Sequence, residues 1–338
     1  MKFLKLPREI KIEVTPKCNA NCKFCMNKAT FAKKGRSLNE MSTQQIKFIV
    51  DKISSSGVSK IRITGGEPLL RKDIFEIIKY AKTKKLFVIL NTNGFLVDKR
   101  NSILIRKYVD RILISLNSYS DIKLSRMTGV KNALKKKIKS IKLLKGCNEI
   151  WLCSVATHDN IVNIEKLHKI VKRLKPDYWF ILRQIPTQEN TNPTKNEDVK
   201  FLVEKLFFIK RKFGILYTLG NSLPFCSYEP AKVSMIVDDG AQHVEGCSKL
   251  VIDPSGKVEI DYSIAHPVGN IFKDDILDCW NNDFAKNFRE LNNVPLICKK
   301  CKYLKRCRGG SRYCARITTK KYSGLDPLAR PKTFLKRT

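Results

Sequence analysis

The chain reads as an α/β protein, a partial (β/α)6 barrel of the TIM type followed by a small cysteine-rich domain. Three observations predict this. Short β-branched runs alternate with amphipathic helical stretches through the first two thirds of the 338 residues, the pattern of parallel strands joined by crossover helices. Polar and glycine residues gather where those runs end, and such folds place their chemistry at the C-terminal ends of the strands. Past about residue 190 the alternation stops, and from Cys226 onward an irregular segment holds seven of the twelve cysteines.

In order, "IKIEV" (Ile10 to Val14) predicts the first strand, followed by a cysteine loop. "MSTQQIKFIVDKISSSG" predicts a helix capped by Ser42 or Thr43 and terminated by Gly57. "KIRIT" is the second strand and "RKDIFEIIKYAKTKK" the next helix; "FVILNT", a helix near Val97 to Tyr108 and "RILISLN" follow. The run "KNALKKKIKSIKLLKG" has apolar residues at helical spacing, Leu134, Ile138, Ile141 and Leu144, and predicts an amphipathic helix with a solvated basic face. "EIWLCSVAT", a helix in "IVNIEKLHKIVKRLK" and "YWFILRQI" complete six units. The strands are mostly apolar, as buried parallel strands are, and six units suggest an open barrel. A polar stretch, "TQENTNPTKNED", and a helix near Val199 to Phe213 lead to the cysteine-rich part.

Composition narrows the function. Hydrophobic residues make up 43% of the chain, enough for a buried core and unlike a disordered sequence. No apolar run reaches the roughly 18 residues that span a bilayer, and the start, "MKFLKLPREIKIEV", does not read as a signal peptide. The expectation is a cytoplasmic protein, where thiols stay reduced, so twelve cysteines point to metal or redox chemistry. The net charge of +35 comes from lysines spread along the whole chain, which reads as compositional bias and points away from nucleic acid. The chain has no GxGxxG, GxxxxGK or HExxH motif, and only four histidines, His158, His168, His243 and His266.

The sharpest motif is "TPKCNANCKFCMN", with Cys18, Cys22 and Cys25 inside eight residues. A structural zinc site is closed by four ligands, and a zinc ribbon completed from elsewhere is one reading. The other is a 4Fe–4S cube held at three irons, with the fourth open to a small molecule. Phe24 between the last two cysteines suits a site that excludes water. "CNANCKFC" together with "TGGEPLL" at the second strand end resembles the radical S-adenosylmethionine (radical SAM) superfamily over roughly residues 8 to 190.

That resemblance implies that Cys18, Cys22 and Cys25 ligate the cluster and that the amino and carboxylate groups of SAM chelate the open iron. Electron transfer then cleaves the sulfonium, and a 5′-deoxyadenosyl radical removes hydrogen from a substrate. It implies that Gly65, Gly66 and Glu67 meet the methionine amino group, with Pro68 stiffening the turn. Ser115 and Asn117 fall where the family binds the ribose, and Asn93 and Arg126 are further SAM or substrate contacts. The plainer readings stay open: Asn93-Gly94 as an ordinary turn, Ser115 as a strand residue bonded to backbone.

The second cysteine group, "CKKCKYLKRCRGGSRYC", runs from Cys298 to Cys314. With "DPSGKVEIDY" and the tryptophan-bearing "VGNIFKDDILDCWNNDFAKNFRE" it resembles the SPASM extension over about residues 245 to 316. A full extension holds two auxiliary 4Fe–4S clusters. Here Asp261, Ser311 and Ala329 stand where cysteines are expected. The resemblance therefore implies one auxiliary cluster on Cys298, Cys301, Cys307 and Cys314. A second would need Cys226, Cys247 and oxygen ligands such as Asp261. A zinc ribbon closed by four cysteines is the plainer reading, and Cys147, Cys153 and Cys279 read as buried apolar residues.

The organisation expected is a radical SAM core over 8–190, a linker helix region over 191–225, an auxiliary-cluster domain over 226–316 and a basic tail over 317–338. The substrate expected is a peptide, a protein or a small molecule. An acidic flavodoxin- or ferredoxin-type electron donor would dock on the lysine-rich face that includes Lys135, Lys136 and Lys137. The rival reading is a non-enzymatic, basic zinc-binding protein that docks nucleic acid.

Overall fold

The computed structural model describes residues 4–26, 40–186, 194–213, 217–220, 223–237, 246–261, 263–264 and 266–331. The strands begin with β1 (Glu9–Glu13), β2 (Lys60–Thr64), β3 (Phe87–Thr92), β4 (Arg111–Ser115), β5 (Glu149–Ala156) and β6 (Tyr178–Arg183). Neighbours among them pair in parallel and in sequence order. Between them run α1 (Thr43–Ser55), α2 (Ile74–Thr83), α3 (Lys99–Tyr108), α4 (Asp121–Thr128), α5 (Ala133–Leu143), α6 (His158–Ile161) and α7 (Ile164–Leu174). The starts are chemically marked. Ser42 and Gln45 form a capping box at α1, and Asp98 and Asn101 form another at α3, each satisfying amides that the first turn leaves without partners.

Burial alternates along the strands. In β5 every second residue is buried, and Ile10, Ile12, Ile61, Ile63, Ile112 and Ile114 join the core beneath the helices. The intervening positions face the barrel interior and mix apolar residues such as Ile89 and Leu113 with polar ones. Arg62 donates to Glu9 at 2.8 Å and to Asn91 at 3.3 Å, and Lys249 lies 3.5 Å from Asp261. The strands are thus mostly apolar, as expected, with charged groups added on the inner face.

Two features extend the six-unit expectation. The interval 191–225 holds the expected helix, α8 (Asn196–Phe213), and adds a further strand, β7 (Tyr217–Gly220), parallel to β6. Past α9 (Pro230–Ile236) come β8 (Lys249–Ile252), β9 (Lys257–Glu259) and β10 (Pro267–Asn270). They continue the barrel sheet, because β8 pairs in parallel with the free side of β1. Among the described residues the strand order is β10-β9-β8-β1-β2-β3-β4-β5-β6-β7, an open sheet.

Short helices α10 (Ile276–Asn281), α11 (Asp283–Arg289), α12 (Leu296–Lys299) and α13 (Leu304–Cys307) precede α14 (Arg312–Thr319). A buried ion pair ties this end to the barrel: both nitrogens of the Arg183 fork, at the end of β6, reach the two oxygens of Asp326 at 2.7 and 3.0 Å. Among the described residues no helix is long and apolar enough to cross a membrane. His243, part of the polar loop (187–193) and the last residues of the basic tail (332–338) lie outside the described residues.

Candidate active site

The loop with Cys18, Cys22 and Cys25 leaves the C-terminal end of β1 and is held from two sides. Gly66 N donates to Thr15 O at 2.7 Å and Glu67 N to Lys17 O at 2.8 Å. A side chain on Gly65 or Gly66 would collide with the backbone of Thr15 or Lys17, so the glycine pair lets two backbones meet. From the other side, Asn21 N donates to Thr128 O at 2.8 Å and Lys23 N to Met127 O at 3.2 Å. The C-terminal turn of α4, a helix that the sequence reading does not anticipate, is the second clamp.

Glu67 sits between these elements with no solvent exposure. One carboxylate oxygen accepts from Leu69 N (3.1 Å) and Thr92 Oγ1 (2.8 Å), the other from Asn93 N (2.7 Å). Burial raises its pKa, while these donors pull it down. The carboxylate thus pins the end of β3 to the glycine turn. Asn93 is fixed in consequence: its Nδ2 donates to Asn19 Oδ1 at 2.7 Å and lies 3.8 Å from Cys18 Sγ. Asn93-Gly94 also forms a turn, with Phe95 N donating to Asn93 Oδ1.

Of the remaining predicted contacts, Ser115 ends β4 and is half-buried at the mouth. Asn117 is buried, and its Oδ1 accepts from Val155 N at 2.8 Å, strapping the end of β4 to β5. Arg126 is exposed on α4, and Phe24 is half-buried in the tight turn in which Cys25 N donates to Cys22 O.

Lys137 is the residue that sequence reasoning misplaces. It belongs to the basic run, which the pattern puts on the solvated, donor-facing side. Instead α5 buries Ala133, Lys137, Ser140 and Ile141, a stripe offset from the predicted one, and Lys137 has no solvent exposure. Its ammonium donates to Asn93 O and to Ser115 Oγ (2.9 Å), 4.3 Å from the Phe95 ring centroid. Burial lowers its pKa to about 8, opposed by the nearby Cys22 and Glu67. A lysine occupying a heptad-like core position gives no periodicity signal, since the pattern counts it as polar. Only the polar strand ends, which need a buried donor, could have hinted at it.

The donor set suits a thiolate-bound cluster. Burial pushes the Cys22 thiol up to about 12 and raises Cys18 as well, so thiolates form here only when a cation replaces the proton. Among the described residues no three His, Cys, Asp or Glu side chains are gathered tightly enough for a single metal ion. Thiolates round one zinc would stand only about 3.8 Å apart, given bonds of ~2.3 Å.

The second cysteine group lines a separate cavity of about 320 Å³. Cys298, Cys301 and Cys307 contribute to it, together with Cys226, Phe225 and Ala329. Cys314 does not; it is fully buried in α14, because the helix begins at Ser311 and turns that side chain into the core. Cys247 is buried near Arg289, and Cys279 packs against Gly269 of β10. Asp261 is held by Ser263 and Lys249. Cys153 is not a core residue: it lies half-buried on the inner barrel face near Arg62 and Lys11, and Cys147 is half-buried as well.

A model of the radical SAM superfamily matches residues 12–174. Residues 12–174 form a radical SAM domain. A model of the SPASM iron–sulfur cluster-binding domain matches residues 245–302, so a SAM-binding 4Fe–4S cluster, SAM and auxiliary iron–sulfur binding are its cofactor set.

An AdoMet-dependent heme synthase of Oleidesulfovibrio alaskensis is 33% identical over 183 residues, 53% of this chain and 46% of that protein. The chain thus matches just under half the length of that relative. A GTP 3′,8-cyclase of Helicobacter pylori is 28% identical over 272 residues, covering 74% and 78%. The crystal structure of Streptococcus suis SuiB bound to S-adenosylmethionine superposes with a TM-score of 0.78 over 97% of this chain and 78% of that one, at 20% identity; that likeness is one of fold.

Proposed function

We propose that this radical SAM protein is an enzyme that reductively cleaves SAM and takes a hydrogen atom from a peptide, protein or small-molecule substrate, with an auxiliary 4Fe–4S cluster assisting. The observation that carries it is the juxtaposition at the barrel mouth of a three-cysteine loop, the Gly65-Gly66-Glu67 turn and the ends of β3 and β4. When bound, the cluster and SAM supply one-electron cleavage of a sulfonium and a 5′-deoxyadenosyl radical.

The chain's own residues do the rest. Cys18, Cys22 and Cys25 would hold three irons. Backbone at Gly65 and Gly66 borders the open side, while Glu67, held by three donors, sets the shape of that border. Ser115 offers a hydroxyl to the ribose and shares it with Lys137. Arg126, exposed on the helix that clamps the cysteine loop, can meet an anionic group of SAM or substrate. The Arg62–Glu9–Asn91 network fills the interior below the mouth and acts as a floor, so substrate stays next to the site that makes the radical.

Relatives point to both substrate classes: the similar proteins above are named for heme synthesis and GTP cyclisation, whereas SuiB has been solved with a precursor peptide. The test is anaerobic reconstitution followed by incubation with SAM and dithionite. The expected result is brown protein with about eight irons in two four-iron clusters that forms 5′-deoxyadenosine. Colourless protein containing stoichiometric zinc would overturn the reading.

A further inference from the structure

We infer that Cys226, on the segment that leads from the last parallel strand, is the fourth ligand of the auxiliary cluster held by Cys298, Cys301 and Cys307. The assignment rests on the auxiliary cluster proposed above and identifies its closing residue. Cys226 stands 72 positions before Cys298 in the chain (298 minus 226), so spacing alone does not join them; the fold does.

Four observations converge. First, the four sulfur-bearing residues line one cavity, with Phe225 and Tyr303 forming part of its wall at a ring separation of 5.6 Å. Second, the four thiols lie in one another's electrostatic field: Cys226 feels Cys307, Cys298 and Cys301, and Cys298 feels Cys307 and Cys301. Third, backbone amides are aimed at the sulfurs. Phe225 N donates to Cys307 Sγ at 3.4 Å, and the backbone amides of Gly309 and Arg330 lie beside Cys307 and Cys226 and favour their thiolates. Donors of this kind stabilise a thiolate, and no core-filling thiol needs them.

Fourth, the other C-terminal cysteines are placed elsewhere: Cys314 inside α14, Cys247 beside Arg289, Cys279 against Gly269. Ala329 lines the same cavity, next to the Arg330 amide that Cys226 receives. The wall at that point carries no ligand of its own, and Cys226 faces it from the opposite segment.

The test uses full-length chain with Cys18, Cys22 and Cys25 all changed to alanine, which isolates the auxiliary site. Iron and sulfide are assayed after anaerobic reconstitution, with electron paramagnetic resonance of the oxidised protein. About four irons per chain are expected in this background and the same after adding Cys314→Ala. Adding Cys226→Ala is expected to remove the cluster or leave about three irons with a paramagnetic signal. Adding Ala329→Cys to the Cys226→Ala protein returns a thiol to the cavity and is expected to restore about four irons, which distinguishes a missing ligand from a misfolded segment. Four irons retained in Cys226→Ala, or loss in Cys314→Ala alone, would overturn the assignment. A background protein that takes up no iron before Cys226 is touched would instead overturn the auxiliary cluster itself.

Discussion

The two cysteine sites differ in how the chain builds them. The N-terminal triad comes from one loop of eight residues, clamped by the glycine turn and by α4, with Cys18 exposed. The C-terminal set comes from two distant segments around an apolar cavity, and none of its four cysteines is exposed. A loop with three ligands and an open side suits exchange of a small molecule at the metal. A cavity with four ligands and aromatic walls suits a closed cluster that only relays or accepts electrons. Ligand number and access, rather than ligand type, separate the two roles.

The largest effect that could break this comparison is loss of the open site. Changing Cys18, Cys22 and Cys25 to alanine should abolish 5′-deoxyadenosine formation while about four of eight irons remain. A triple variant that still cleaves SAM at the unaltered rate would show that the open site lies elsewhere.

The converse perturbation acts on the closed site through its tether. Asp326 accepts from Arg183, Ser311 N and Leu328 N and is buried, so removing one partner strands a charge at a cost of about 3–5 kcal/mol. Arg183→Met should lower the melting temperature and speed iron loss to a chelator from the auxiliary site. Iron at the N-terminal triad should be lost no faster than in the unaltered protein. Equal acceleration at both sites would mean that the tether supports the whole barrel.

How much of this is legible follows from what kind of signal each part emits. All six predicted strands occur, because β-branched runs such as "KIRIT" have no competing helical period, and Ser42 announces its helix through a capping box. The N-terminal ligand set is contiguous, so the sequence displays it whole. Cys226 and Cys314 cannot be ranked that way, since nothing local says which of them the fold brings to Cys298. The seventh strand, "YTLG", is too short to stand out, and α4 is weakly amphipathic. The motif puts Glu67 against the amino group of SAM; that its oxygens also accept from Leu69 N, Thr92 Oγ1 and Asn93 N is a feature that a motif does not encode.

Lys137 sharpens the comparison at the level of charge. A buried cation among Cys22, Glu67 and Cys18 should stabilise the more negative, reduced cluster by on the order of 1–2 kcal/mol at an effective dielectric near 20. Lys137→Gln keeps a donor for Ser115 but removes the charge. The midpoint potential of the N-terminal cluster should fall, and the auxiliary cluster should not move. A redox titration followed by electron paramagnetic resonance checks both at once. A shift shared by the two clusters would point to a general change in the fold.

The smallest effect concerns delivery of the electron. Lys135, Lys136, Lys139 and Lys142 are exposed on α5, the helix whose buried side carries Lys137. If an acidic protein donor docks on that face, its encounter is steered over a Debye length of about 8 Å and weakens as salt shortens that length. Reduction by a flavodoxin should then slow between low and high salt, whereas reduction by dithionite should change much less. Lys135→Glu with Lys136→Glu should flatten the salt dependence without altering either midpoint potential, which separates this outer face from Lys137 beneath it. Should the double variant keep the full salt dependence, donor docking lies on another face, and the exposed lysines of α5 serve solubility alone.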